Sequence, residues 1–132
     1  MVQYPHEKMQ LYGRIDGLSA GKHGFHIHTF GDFSEGCTST GGHYDPLGVM
    51  DHAAHGSTVL PAGDLQEIVA NYQGRAVVEQ TDMDLNLYGD DNIIGRAMVL
   101  HANPDPNAGP RIACCVIGLT AAPQKEQSYG GY

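Results

Sequence analysis

The chain has 132 residues, with 15 acidic and 7 basic side chains, and its formal net charge is −8. This length fits one domain with a hydrophobic core, and the acidic balance argues against nucleic acid as a partner, because such proteins need a basic surface. No run of 18 apolar residues occurs, so no membrane-spanning segment is expected.

Alternating apolar and polar residues predict the first β-strands. Met9, Leu11 and Ile15 alternate with polar neighbours, which predicts a strand with one buried face. A second predicted strand runs from His23 to His28. From Thr29 to Pro61 the residues Gly, Ser, Thr, Asp and Pro dominate, and we interpret this segment as a loop. Irregular segments of this length in a compact domain usually carry function.

Further short strands follow the loop. The predicted strands are Glu67–Asn71, Arg75–Glu79, Met83–Leu87, Arg96–His101 and Arg111–Ile117. No segment shows convincing helical periodicity. Short strands at this spacing predict an all-β sandwich or barrel, and 18 glycines without a tryptophan fit a turn-rich protein of this class.

The strongest functional signal is the run HGFHIH at positions 23–28. Successive side chains of a strand point to opposite faces, so His26 and His28 share one face while Phe25 and Ile27 share the other. Two imidazoles on one face can bind a single ion, and imidazole suits copper, zinc, iron and nickel. The alternative is a surface strand whose histidines occur together by chance.

Dispersed motifs of diverse chemistry accompany this run. They are GL at 17–18, FGD at 30–32, GCTS at 36–39, HYDPL at 43–47, GDL at 63–65, IIGR at 93–96, His101, and RIAC at 111–114. In this order they resemble the copper/zinc superoxide dismutase family, from about Lys8 to Leu119. The resemblance implies a Greek-key β-sandwich or barrel with a long metal-binding loop. Residues 1–120 would form the copper domain, and residues 121–132 a flexible linker or tail.

The resemblance implies a copper site and a reaction. It places copper ligands at His26, His28, His43 and His101, and four imidazoles without a thiolate suit Cu(II). A structural zinc site is the alternative, although such sites usually carry cysteines. The implied reaction converts superoxide to dioxygen and hydrogen peroxide through Cu(II)/Cu(I) cycling, with His43 taking up and returning a proton. Arg111 matches the arginine that pairs with the anion, and the alternative for Arg111 is a surface ion pair.

The resemblance also implies structural roles at three positions. His23 is expected to hydrogen-bond backbone across the loops rather than bind metal. Cys37 and Cys114 match the family's disulfide, which ties the long loop to the last strand. Cys115 is the third cysteine, and as the next residue of that strand it is expected to be a buried thiol on the opposite face. Intermolecular pairing of Cys115 is the alternative.

The zinc ligands depart from the family pattern. They would be His43, a second histidine at His52 or His55, a third residue at Pro61, and Asp64. Since proline offers no side-chain donor, we expect zinc to be absent, with His52, His55 and Asp64 as weak residual candidates. Without zinc, the far nitrogen of His43 needs an acceptor, and Asp64 is the expected one, because ligating histidines usually donate to such a partner.

The segment Ala102–Pro110 is a second departure. The family has a longer electrostatic loop here, which narrows the channel and carries an aspartate linking the two metal sites. A missing zinc ligand and a short loop are typical of the copper-only branch, found in secreted proteins and extracellular repeat proteins. We therefore expect an extracellular domain with an abbreviated N-terminal strand region before Lys8 and possible neighbouring repeats as partners. The alternatives are a copper carrier without turnover and a purely structural domain.

Overall fold

The computed structural model describes residues 1–46 and 63–121. These residues form eight β-strands and one 3-10 turn, Thr38–Thr40, and they contain no α-helix. The strands are β1 (Met9–Ile15), β2 (Gly21–His23), β3 (Phe25–His28), β4 (Ser34–Cys37), β5 (Ile68–Ala70), β6 (Ala76–Met83), β7 (Ala97–His101) and β8 (Arg111–Val116). The predicted all-β class is confirmed. In the described part of the chain, no helix has the length and apolar character needed to cross a membrane.

The strands pair into antiparallel sheets that join distant parts of the chain. One sheet pairs β1 with β6, a second pairs β2 with β5, and a third has the order β3-β7-β8. In the third sheet Phe25 lies opposite Leu100 and His28 opposite Ala97, so both histidine-bearing strands, β3 and β7, are neighbours. This register places the end of β7 near the start of β3.

The core consists of two apolar clusters, and β3 contributes to both. One cluster contains Leu11, Phe25, Ile68, Ala70, Ala76, Val78 and Leu100. The other contains Met9, Ile27, Tyr44, Leu85, Ile93 and Ile117. Phe25 and Ile27 are 2% and 0% exposed, as the alternation predicts. Full burial of such a side chain contributes about 1.5–3 kcal/mol, so the apolar face of β3 fixes which way its histidines point.

The predicted strand over positions 23–28 is in fact interrupted at Gly24. β2 ends at His23 and β3 begins at Phe25. Gly24 pairs with the segment after β7 instead, since its N–H donates to Asn103 O at 2.9 Å and its O accepts from His101 N at 2.9 Å. The interruption therefore attaches the end of β7 directly to the histidine run.

The predicted strand Met83–Leu87 was wrong. β6 extends through Met83 and ends there, and Asn86 pairs with Asn92 across a turn. Leu85 is nevertheless only 4% exposed. The alternation of apolar residues therefore indicated that Leu85 is buried, but it did not indicate a strand, because this segment is irregular.

The loop predicted over Thr29–Pro61 contains ordered structure in its first part, namely β4 and the 3-10 turn. Ser39 Oγ donates to Asp32 O at 2.8 Å and accepts from Glu35 N at 3.0 Å, which closes this part on itself. The zinc candidates His52 and His55, together with Pro61, lie outside the described residues. All but the first residue of the predicted tail, 122–132, lies outside them as well.

The cysteines give one confirmed prediction and one correction. Cys37 and Cys114 form a disulfide with their Cα atoms 5.8 Å apart, which ties β4 to β8. Cys115 is exposed, so its prediction as a buried residue was wrong. The reason is that β8 is the outer strand of its sheet, where Ile112 and Val116 are also exposed. Partial burial of the sulfur still raises the pKa of the Cys115 thiol.

Candidate metal centre

The structure brings His26, His28, His43 and His101 into one cluster. Each ring offers one nitrogen, and these nitrogens all lie within 4.8 Å of one another. His28 Nε2 and His101 Nε2 are 3.5 Å apart. Three of the rings are buried, whereas the side chain of His43 is 30% exposed and gives the cluster its solvent-facing side.

Backbone pairing at the outer edge of β3 positions His43. Ile27 O accepts from Tyr44 N at 2.7 Å, and Ile27 N donates to Gly63 O at 2.8 Å. His43 is thereby brought opposite His28 in an antiparallel bridge. A Cβ at Gly63 would lie 2.6 Å from Ile27 O, so only glycine allows this close approach.

Tyr44 anchors the chain next to His43. Its hydroxyl donates to Asp91 O at 2.6 Å, and the Arg96 guanidinium lies 4.2 Å from the centre of its ring. Arg96 Nη1 also donates to Thr29 O at 3.0 Å. Arg96 therefore connects the start of the loop that carries His43 to Tyr44, the residue after His43.

Two of the clustered rings donate to main-chain carbonyls. His28 Nδ1 lies 2.8 Å from Gly41 O, and His101 Nδ1 lies 3.0 Å from Gly109 O. Because a carbonyl oxygen only accepts, each Nδ1 carries the proton and each Nε2 presents a lone pair. Burial lowers the pKa of His28 to about 4, and the nearby Arg111 charge acts in the same direction, so this ring is neutral at neutral pH.

Asp64 contacts the third ring. Its Oδ1 lies 2.7 Å from His43 Nδ1, and its side chain is 20% exposed. The carboxylate accepts the Nδ1 proton, which leaves His43 Nε2 as the free nitrogen. This is the contact that the sequence analysis expected for Asp64, and its functional role stays a prediction.

His26 has the opposite arrangement. Its Nε2 donates to Asp105, whose Oδ1 and Oδ2 lie at 2.9 and 3.1 Å. Its Nδ1 is buried and has no hydrogen-bond partner among the described residues. Leaving a buried polar atom unpaired costs about 1–3 kcal/mol. A buried nitrogen lone pair without a donor, in a ring that belongs to a cluster of four imidazoles, fits a bound metal ion.

The short Ala102–Pro110 segment carries an aspartate, Asp105, that the sequence analysis did not single out. It was missed because the contact with His26 spans 79 residues of sequence. The available signal was composition, since Asp105 is the one acidic residue between His101 and Arg111. The shortened loop therefore keeps a carboxylate at the metal centre.

Gly24 makes room for Asp105. A Cβ at Gly24 would lie 2.9 Å from Asp105 Oδ1 and 2.9 Å from Ala108 Cβ. We expect Gly24→Ala to displace Asp105 from His26 and to lower copper affinity by about tenfold, the lower end of what losing such a partner costs. Competitive chelator titration measures this. Gly13→Ala is the matched control, because no atom approaches a Cβ there within 4 Å. Equal affinities in both variants would contradict the prediction.

Arg111 is held by backbone and a hydroxyl group. Its Nη1 donates to Cys37 O at 2.9 Å, Thr38 O at 3.2 Å and Thr40 Oγ1 at 3.1 Å. Thr40 is fully buried, and its hydroxyl donates to Cys37 O at 2.7 Å. Among the described residues, none forms a carboxylate ion pair with Arg111, so its positive charge is not neutralised there. This arrangement fits an anion-pairing role better than the surface ion pair considered as the alternative.

His23 lies outside the cluster. Its ring stands between two main-chain oxygens, with Nδ1 2.8 Å from His101 O and Nε2 2.8 Å from Ser19 O. These are the backbone contacts across the loops that the sequence analysis expected. They place the end of β7 against the turn before β2.

Comparisons with known proteins agree on one family. The family model described as copper/zinc superoxide dismutase (SODC) matches residues 1–117 of this chain. The curated relative "Superoxide dismutase [Cu-Zn] 2" of Mesembryanthemum crystallinum is 45% identical over 123 residues. The match covers 83% of this chain and 78% of that relative.

Proposed function

Because the chain belongs to the copper/zinc superoxide dismutase family, whose members are oxidoreductases, we propose that it is a copper-only dismutase with copper at the four-histidine cluster. The observation that carries the copper assignment is the buried, unpartnered Nδ1 of His26 among three free Nε2 atoms. Four neutral nitrogen donors without a thiolate suit Cu(II). The exposed side of His43 leaves an approach for a small substrate.

Bound copper would supply one-electron chemistry, in which one superoxide gives up an electron to become dioxygen and a second gains an electron and two protons to become hydrogen peroxide. Arg111 would pair with the incoming anion through the guanidinium nitrogens other than Nη1, which is the one that donates to Cys37 O, Thr38 O and Thr40 Oγ1. His43 can hold a proton at Nε2, because its Nδ1 is engaged by Asp64. The net charge of −8 repels superoxide, so this local cation must attract it.

One observation supports the absence of a resident zinc ion. Pro61 stands where the family has a zinc histidine. Without zinc, Asp64 can serve as the acceptor for His43 Nδ1, from which its Oδ1 lies 2.7 Å away. The competing assignment is a weak zinc site built from His52, His55 and Asp64, and the test below separates the two.

The proposed setting is extracellular, with residues 1–120 as a dismutase domain that can stand beside further repeats of its kind. The Cys37–Cys114 disulfide supports this setting, since disulfides persist mainly in oxidising compartments. Closing a chain segment of 77 residues adds up to about 4–5 kcal/mol of stability there, by the chain-entropy estimate.

Elemental analysis tests the proposal. We expect one copper ion per chain and zinc far below one per chain after mild dialysis, together with consumption of superoxide. The His28→Ala and His101→Ala variants are the controls and should lose copper. One tightly held zinc per chain would contradict the copper-only assignment. Copper without turnover would instead indicate a carrier, and absence of both metals a structural domain.

A further inference from the structure

Glu67 contacts the backbone of the residue that supports His26. Its Oε2 accepts a hydrogen bond from the Asp105 N–H at 3.1 Å. Glu67 directly precedes β5, which lies in a different sheet from β3 and β7, the strands that carry His26, His28 and His101. The side chain of Glu67 therefore connects the β2–β5 sheet to the loop Ala102–Pro110, which carries Asp105.

This contact matters because of the two prolines beside Asp105. Pro104 and Pro106 have no N–H, so Asp105 supplies the only backbone donor in the stretch 104–106. The loop is otherwise closed at its base, where Ala102 N donates to Pro110 O and Asn103 N to Ala108 O, both at 2.9 Å. Within residues 104–106, the Asp105 N–H is therefore the backbone group that can donate, and its acceptor is Glu67.

We propose that Glu67 is a positioning residue for the metal centre, acting on His26 through Asp105. The order of contacts is Glu67 Oε2 to Asp105 N–H, Asp105 carboxylate to His26 Nε2–H, and then the free Nδ1 of His26. This contact needs an oxygen acceptor at position 67 and not a charge, because the donor is the Asp105 N–H. The inference rests on the proposed copper site for its consequence, but its first two contacts are made by side chains and backbone of the chain itself.

The first test uses the metal-free protein. Long-range proton–nitrogen NMR spectra report which nitrogen of His26 carries the proton. Wild type should show a protonated Nε2 and a bare Nδ1, whereas Glu67→Ala should mix the two tautomers. Glu67→Gln should keep the wild-type pattern, because its amide oxygen can still accept from Asp105. Glu79→Ala is the control for charge, since Glu79 is exposed on β6. A wild-type pattern in Glu67→Ala would overturn the inference.

The second test measures copper affinity in a double-mutant cycle. Glu67→Ala should weaken copper binding by about tenfold, and Glu67→Gln and Glu79→Ala should stay within about twofold of wild type. In an Asp105→Ala background the same Glu67→Ala change should have no further effect, because its route to His26 is already gone. Additive losses, or equal losses in the alanine and glutamine variants, would overturn the inference. If wild type binds no copper, the proposed function fails, and the NMR comparison alone decides the role of Glu67.

Discussion

Replacing Arg111 with alanine should lower the rate constant for superoxide dismutation by about 10- to 1000-fold at low ionic strength, while copper content stays at the wild-type level. The protein carries a net charge of −8, so a small anion is attracted only where a local positive charge faces its path. Arg111 is fixed at that place by Cys37 O, Thr38 O and Thr40 Oγ1 and has no carboxylate partner among the described residues. Pulse radiolysis with copper analysis of the same sample measures both quantities.

Two controls sharpen the Arg111 experiment. Arg111→Lys keeps the charge but not the forked donors, so its rate constant should fall between those of wild type and alanine. Arg75→Ala removes an exposed arginine that pairs with Asp16, far along the chain, and should leave the rate nearly unchanged. The wild-type rate should also fall with added salt more steeply than that of Arg111→Ala, since salt screens the attraction. A wild-type rate in Arg111→Ala would return this residue to a structural role.

Replacing Asp64 with asparagine should reduce copper affinity or the dismutation rate by about 10- to 100-fold. The 2.7 Å contact with His43 Nδ1 selects the tautomer whose Nε2 is free, and a carboxylate is a stronger acceptor than an amide. An amide can also turn its NH2 group toward the ring, which favours the wrong tautomer. The fold should survive, because neither the disulfide nor any sheet depends on this side chain.

The Asp64 experiment needs three measurements on one variant: copper affinity, dismutation rate and melting temperature. Asp90→Asn is the matched control, since it removes the same charge at an exposed turn position. If affinity and rate both stay within twofold of wild type, the role of Asp64 is limited to holding its loop in place. The proton on His43 would then need another acceptor. A large drop in melting temperature would assign the effect to folding instead.

Local alternation was sufficient to predict the orientation of β3. In the run at positions 23–28, Phe25 and Ile27 enter the core and His26 and His28 enter the cluster, because neighbouring strand residues must face opposite sides. The positions of His43 and His101 came from the family resemblance and not from any pattern in their own segments. The disulfide between Cys37 and Cys114 was reached in the same way.

Contacts made by loop geometry were beyond sequence reasoning. Asp105 reaches His26 across 79 residues, and it does so because Gly24 leaves space and Glu67 holds the loop tip. The periodicity of apolar residues within a short segment does not predict such a contact between distant residues. Leu85 shows the opposite error, since tertiary packing buried it without any strand. In both cases the deciding interactions are long-range, and local propensity does not contain them.

The four imidazoles donate to two kinds of hydrogen-bond acceptor, and mutation can change these two kinds in different ways. His28 and His101 donate to the main-chain oxygens of Gly41 and Gly109, two glycines with positive φ at which a Cβ would lie 2.9 Å from Phe30 Cδ2 and 2.5 Å from Asn103 Nδ2. His43 and His26 donate to the side chains of Asp64 and Asp105, which a single codon change can remove. Natural variation or laboratory selection can therefore retune one half of the metal centre through its carboxylates, while the other half depends on two glycines whose replacement would strain the backbone that supplies its acceptors.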